Sequence, residues 1–119
     1  MGFHEILKWM VDGVKGGYAG AIVGMDGISV QDYIKEGAAC DLEAISVEYG
    51  KILGEVNKAS EILKLGEVEE IDIASHGTKV LLRLITPEYF IAFILTPSGN
   101  TGKGRYFLKK AASKAGTEL

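Results

Sequence analysis

Two stretches in the C-terminal half, Val80-Leu81-Leu82-Arg83-Leu84-Ile85 and Phe90-Ile91-Ala92-Phe93-Ile94-Leu95, are apolar at almost every position. Each has the length of a strand, and neither alternates between apolar and polar residues. A sheet with one wet face shows that alternation, so these strands have to be covered on both sides. The chain has 119 residues, the size of one domain spanning residues 1–119 with one core, so the cover must come from its own helices.

Three helical patterns are available. Phe3, Ile6, Leu7, Met10 and Val14 recur at helical spacing over residues 3–15, before Gly16-Gly17. From Leu42 to Leu65, the residues Leu42, Ile45, Tyr49, Ile52, Val56, Ala59 and Leu63 follow spacings of 3, 4, 3, 4, 3 and 4. That stripe predicts an amphipathic helix of about six turns, capped by Asp41 and closed by Gly66. A last helix is expected from about Lys103 to Lys114. Tyr18 to Met25 and Ile28 to Tyr33 read as two strands joined at Asp26-Gly27, a strong hairpin signal. Val68 to Ser75, Thr78 to Thr86 and Tyr89 to Thr96 read as a three-stranded meander. The expected fold is α/β (α+β): a three-layer α/β/α sandwich around a five-stranded antiparallel sheet. The long helix covers one face and the other two helices cover the opposite one.

Composition narrows the function. Apolar residues at 47% and charged residues at 24% suit a packed domain. A net charge of −3 gives no general attraction to nucleic acid. No apolar run approaches the roughly 20 residues that span a bilayer. The start Met1-Gly2-Phe3-His4-Glu5 lacks the pattern of a signal peptide, and Cys40 is the single cysteine, which suits a reducing compartment. The expected setting is the cytoplasm, with membrane contact unexpected.

The residues offer no credible catalytic site. Gly99-Asn100-Thr101-Gly102-Lys103-Gly104 lies between a strand and a helix, as a phosphate loop would. Only two residues separate Gly99 from Gly102, and Gly104 supplies no hydroxyl after the lysine. These glycines read better as a close approach of helix to sheet. His4 and His76 have no partners at metal-ligand spacing, Cys40 has no activating histidine, and Asp26 is explained by its hairpin. No cofactor, metal or catalytic residue is expected.

Three features point instead to surfaces. Gly50 and Gly54 lie inside the long helix, where each glycine costs about 1 kcal/mol relative to alanine. On a helical wheel they group with Val47, Asn57 and Glu61, opposite the apolar stripe. The expectation is that this face meets its counterpart in a second subunit, the alternative being that the glycines are merely tolerated. Next, Glu67-Val68-Glu69-Glu70-Ile71-Asp72 is an acidic strand, either a guarded edge or one that pairs with its own copy through Glu69 and Ile71. Lastly, Lys103, Arg105, Lys109, Lys110 and Lys114 make the last helix basic, as a solvated face or as a patch facing a partner or membrane.

The order of elements, Met25-Asp26-Gly27, and the helix end Leu63-Lys64-Leu65-Gly66 resemble the roadblock / dynein light chain family. The most specific stretch is Asn100-Thr101-Gly102-Lys103-Gly104-Arg105-Tyr106-Phe107-Leu108-Lys109-Lys110, which looks like the end signature of that family. The resemblance covers about residues 3–114. It implies a homodimer built through the long helices and third strands. It also implies service to a small Ras-like GTPase, and the prokaryotic type it resembles is the MglB type, which binds an MglA-type GTPase and stimulates its hydrolysis. Such regulators remodel the switch segments of the GTPase and carry no active site of their own. The docking surface implied is the paired long helices, with Glu43, Val47 and Glu61 pointing outward. A scaffold or adaptor subunit of a GTPase or motor complex, without effect on turnover, is the second reading. A small-ligand sensor is the third, and it requires a cavity lined by several polar groups.

Overall fold

A computed structural model describes residues 1–119. Helix α1 (Phe3–Asp12) leads into strands β1 (Gly17–Gly24) and β2 (Ser29–Ile34), followed by the long helix α2 (Leu42–Ile62). Strands β3 (Glu70–Ala74), β4 (Lys79–Thr86) and β5 (Tyr89–Leu95) come next, and helix α3 (Thr101–Gly116) ends the fold. The element order is the expected one. All five strands pair antiparallel, in the order β2-β1-β5-β4-β3. The β1–β5 pairing joins the hairpin to the meander and puts β5, the most apolar strand, at the centre.

Residues of β5 point alternately to two cores. Ile91, Phe93 and Leu95 meet Ile6, Leu7 and Met10 of α1 and Leu108 and Ala111 of α3. Phe90, Ala92 and Ile94 join Leu82 and Val80 beneath Leu42 and Leu53 of α2. The result is the expected three-layer sandwich. Small residues bring the layers close. A Cβ on Gly20 would stand 2.8 Å from Met10 Cε, and one on Gly104 would stand 3.0 Å from Leu95 Cδ1. The Gly-rich loop therefore brings α3 down onto the sheet, while the Asn100 side chain caps the helix by accepting from Lys103 N at 3.1 Å.

Local signals explain the other ends. Asp26-Gly27 makes a three-residue hairpin loop in which Gly27 takes φ +89° and Asp26 Oδ1 accepts from Ile28 N. Asp41 Oδ1 accepts from Ala44 N at 3.1 Å, capping α2 as expected. The far end of α2 differs from expectation. The helix stops at Ile62, Lys64 turns left-handed at φ +58°, and Gly66 follows at φ +90°. Leu65 N donates to Ser60 O and Lys64 N donates to Glu61 O, the paired bonds that end a helix on a left-handed residue.

The orientation of α2 also differs, and the difference matters for function. Leu42, Ser46, Gly50 and Leu53 are the buried residues of the helix. The stripe expected to face the core is instead half-buried at Ile45 and Tyr49 and exposed at Ile52, Val56, Ala59 and Leu63. The helix is thus turned by about 100°, one residue position, from the expected setting. The cause lies in the sheet: Phe90 rises beneath the helix, and only a small residue can sit over it. A Cβ on Gly50 would stand 3.0 Å from Phe90 Cζ. Gly50 therefore belongs to the core and not to an outer face, correcting the expectation for that residue.

The acidic strand β3 is held from within the chain. Glu70 accepts from Arg83 Nη1 at 3.2 Å, its cross-strand neighbour on β4, and from Arg105 Nε of α3 at 2.6 Å. Arg105 also reaches Asp72 at 3.0 Å, and Arg83 reaches Glu69 at 3.7 Å. The Glu70 and Arg83 side chains are only 11% and 18% exposed, so this pair is shielded enough to matter. Burial and the adjacent Glu70 carboxylate push the Asp72 carboxyl above its usual range, against the opposing pull of Arg105.

These contacts set four stability outcomes measurable by urea denaturation. Gly54 has only Met25 Cε near its missing Cβ, at 3.9 Å, so Gly54→Ala is expected to stabilise by about 0.5–1 kcal/mol. Gly50→Leu is expected to destabilise by about 1–3 kcal/mol through overpacking on Phe90. Lys64→Gly relieves a left-handed lysine and is expected to stabilise by about 1 kcal/mol. Glu70→Gln is expected to cost about 1–3 kcal/mol, because Arg83 loses its shielded partner.

Asp72 supplies a pH test with a defined sign. A carboxyl raised in the folded state favours folding while protonated, and that contribution is lost as pH rises through the raised value. Asp72→Asn removes the dependence. Its stability relative to the unmodified chain should rise as pH is taken upward from about 4, and it should be no less stable at pH 7. A relative stability that falls with pH would contradict the assigned shift.

Candidate partner-binding surface

Turning α2 by one residue position leaves an apolar stripe outside the core. Ile52 is 44% exposed and Val56 38%, with Ile62 at 79% and Leu63 at 66% beyond them. Ile45 and Tyr49, half-buried, join this stripe to the core under the helix. The direction of the stripe follows from the opposite flank. Val47 Cγ2 lies 3.8 Å from the Cβ position of Gly27, and Gly54 lies against Met25. That flank faces the β1–β2 hairpin, so the Ile45–Tyr49–Ile52–Val56 flank faces the β4–β3 end of the sheet.

At that end the sheet is only partly covered. Strand β3 is an edge strand, hydrogen-bonded to β4 alone. Its Glu70 and Asp72 lie on the α3 side, engaged with Arg105, while Ile71 and Ile73 lie half-buried on the α2 side beside Leu84. Helix flank and strand face thus form one apolar corner ending at an unpaired strand edge. Large apolar residues side by side at such a corner mark an interaction surface better than single exposed ones. The end of α2 is tied to this corner, since the Asn57 side chain accepts from Val68 N at 3.0 Å, just ahead of β3.

The residues expected from the sequence to form one interface fall into three places. Ile71 lies in the corner, and Glu69 lies on the exposed run beside it. Gly50 is buried over Phe90, and Asn57 is engaged with Val68. Glu43, Val47, Gly54 and Glu61 fall together on the hairpin-facing flank by helical angle. Arg83 and Arg105 supply the cations that face the acidic strand. Arg105 is thereby drawn out of the basic face of α3, where Lys114 lies 3.9 Å from the Trp9 ring centroid and Lys110 lies near Tyr106. The residues missed by sequence reasoning are Ser46 and Leu53 as core and Ile52 and Val56 as surface, while Ile45 and Tyr49 pack partly buried against the core. The signal present was the wide apolar arc of α2, which includes Leu53 as well as the stripe and exceeds what one sheet contact needs.

The other reactive side chains stand apart. Burial and the charge of Asp41 raise the Cys40 thiol above its usual value, which disfavours the reactive thiolate. His4 meets Tyr33 edge-on, and His76 lies exposed in the turn before β4. No three His, Cys, Asp or Glu side chains gather in a group that could hold a metal ion. No helix is long and apolar enough to cross a membrane.

The chain matches no protein-family model and no curated protein sequence. Solved structures do match. The chain is 39% identical to MglC from Myxococcus xanthus over 100% of both chains, with a TM-score of 0.73. MglB in a tetrameric arrangement gives a TM-score of 0.88 at 11% identity, over 97% of this chain and 85% of that one. A Roadblock/LC7 domain from Streptomyces avermitilis gives 0.81 at 11% identity, over 93% and 92%. At such low identity the last two likenesses show the fold, while the first extends through the whole sequence. The protein belongs to the roadblock / dynein light chain family, with the MglB-type fold.

Proposed function

We propose that this chain is a non-enzymatic homodimeric regulator of a small Ras-like GTPase of the MglA type, stimulating its GTP hydrolysis. The observation that carries the dimer is the apolar corner between the Ile45–Tyr49–Ile52–Val56 flank of α2 and the Ile71–Ile73 face of β3. Two copies meeting across a two-fold axis at β3 would cover both corners at once, helix against helix and edge beside edge, as a self-complementary patch requires. The interface runs through Ile45, Tyr49, Ile52, Val56 and Ile71, with Glu69 at its margin. Gly50 takes no part in it.

The regulatory role rests on membership of the roadblock family and on the resemblance to MglB-type proteins that the sequence carries. Dimerisation through one flank of α2 leaves the other free. That flank carries Glu43, Val47 and Glu61, and we assign it to the GTPase. An acidic and apolar surface of this kind suits binding and reshaping of switch segments, and it contributes no catalytic side chain. The GTPase keeps its own chemistry, and the regulator changes which conformation is populated.

Two measurements test this reading. In sedimentation equilibrium the chain should be a dimer, and Ile52→Asp with Val56→Asp should weaken dimerisation at least a hundredfold, leaving the circular dichroism unchanged. A dimer indifferent to both substitutions would remove the interface. In single-turnover hydrolysis with the MglA-type GTPase of the same organism, the unmodified chain should accelerate GTP cleavage at least tenfold, and the double variant should not. Binding without acceleration would replace the activator by a scaffold.

A further inference from the structure

Helix α3 carries the sharpest charge imbalance in the chain. Its sixteen residues hold five of the thirteen lysines and arginines and none of the sixteen side-chain carboxylates. Arg105 is turned to β3, where Glu70 and Asp72 hold it. Lys103, Lys109, Lys110 and Lys114 have no such partner, since the other ion pairs of the fold engage Lys8, Lys51, Lys58 and Arg83.

Three of these lysines stand over aromatic rings. Lys103, Tyr106, Phe107, Lys110 and Lys114 follow spacings of 3, 1, 3 and 4, which is one stripe along the helix. Trp9 of α1 lies alongside, its ring stacked on Phe107 at 4.5 Å between centroids. Lys114 Nζ lies 3.9 Å from the Trp9 centroid, and Lys103 and Lys110 each lie 5.6 Å from those of Phe107 and Tyr106. A ring positions an ammonium through its electron-rich face and does not neutralise it. The stripe is therefore a row of placed, uncancelled positive charges among aromatic groups. Tyr106 is 59% exposed, while Trp9 and Phe107 are half-buried. On α1, Asp12 is taken up by Lys8 at 2.6 Å, which leaves Glu5 as the unpaired carboxylate beside Trp9.

We infer that this stripe is a docking face for a bilayer surface of anionic lipid. Charge complementarity selects an anion, and the residue types select a lipid surface among anions. A single phosphate or carboxylate is best read by an arginine fork, and the one arginine of α3 is engaged within the fold. The three ammonium groups instead spread over about 16 Å of helix, which matches a field of headgroups. Tyrosine and tryptophan rings beside lysines suit the headgroup layer, where one side is apolar and the other wet. Trp9 is already covered by Phe107 and Lys114, so it offers no open face on which a nucleotide base could stack. Helices α1 and α3 cover the sheet on the side away from α2, so this face stays open whichever partner meets α2. The inference goes beyond the regulator reading and does not depend on it. It also departs from the expectation, drawn from the sequence, that the chain avoids membranes.

The test is co-sedimentation of the full chain with vesicles of equal parts phosphatidylcholine and phosphatidylglycerol, beside vesicles of phosphatidylcholine alone. Trp9 is the only tryptophan and reports from within the face. Binding to the anionic vesicles is expected, with a blue shift of Trp9 emission, and raised salt should weaken it. The neutral vesicles should bind at least tenfold more weakly. Lys103→Gln with Lys110→Gln and Lys114→Gln should weaken binding to the anionic vesicles at least tenfold. The same charge change on α2 and its end, Lys51→Gln with Lys58→Gln and Lys64→Gln, should alter it less than threefold. Tyr106→Ser keeps every lysine and should weaken binding severalfold, so the stripe is tested even where the triple variant fails to fold. No binding, equal binding to neutral vesicles, or equal losses from the two triple variants would overturn the lipid face. Tighter binding to poly-glutamate at matched anion concentration would replace the lipid by an acidic segment of a partner protein, and tighter binding to single-stranded RNA by a nucleic acid. No GTPase enters these readouts, so they stand apart from the hydrolysis test.

Discussion

Strand β5 has no wet face, and the molecule is arranged around that constraint. Six of its seven residues are buried, pointing alternately into two cores; beside it β1 is buried at seven of its eight positions and β4 at Val80, Leu81 and Leu82. Transfer of these side chains from water supplies the main drive for folding, at about 25 cal/mol per Å² of apolar surface. It also demands helices on both sides. Helices α1 and α3 meet each other as well as the sheet, and together they seal one face. On the other face α2 works alone, and one helix cannot cover five strands.

That shortfall generates the surfaces described above. Phe90 requires a small residue above it, Gly50 supplies one, and the helix settles with Ser46, Gly50 and Leu53 inward. Its largest apolar residues are then left over the uncovered end of the sheet beside β3. The opposite flank meets the hairpin only near Val47 and Gly54, and a cavity lined by Asp32, Glu43 and Ser46 opens there. Both surfaces thus follow from a single helix that is too narrow for its sheet and is fixed in rotation by one aromatic ring. An apolar corner suits a second copy of the chain.

The ion network on β3 serves a related purpose. An edge strand with exposed backbone is prone to uncontrolled pairing, and charge is a common guard. Here Glu70 and Asp72 are drawn to the α3 side by Arg83 and Arg105, so the opposite side of the strand presents only Ile71 and Ile73. One side of β3 is thereby anchored to its own fold and the other is kept apolar. The arrangement limits what β3 can pair with, since a strand beside it has to match an apolar face.

Much of this was determined by the sequence alone. The strand-sized runs at residues 80–85 and 90–95 require two covered faces, Asp26-Gly27 makes the hairpin, Asp41 and Asn100 cap their helices, and residues 100–110 resemble the end of the family's sequences. All of these are local in the chain, or follow from a periodicity that one element carries by itself. Tertiary structure decided what depends on contact between distant elements. The rotation of α2 could not be read from its own apolar stripe, because residues that bury in a core and residues that bury in an interface are equally apolar. Only Phe90, forty residues away from Gly50, separates the two. At the end of α2 both Lys64 and Gly66 turn left-handed, and the lysine was not legible in the sequence because its side chain gives no signal for that conformation. The cavity lined by Asp32, Glu43 and Ser46 likewise exists only once β2 and α2 lie side by side.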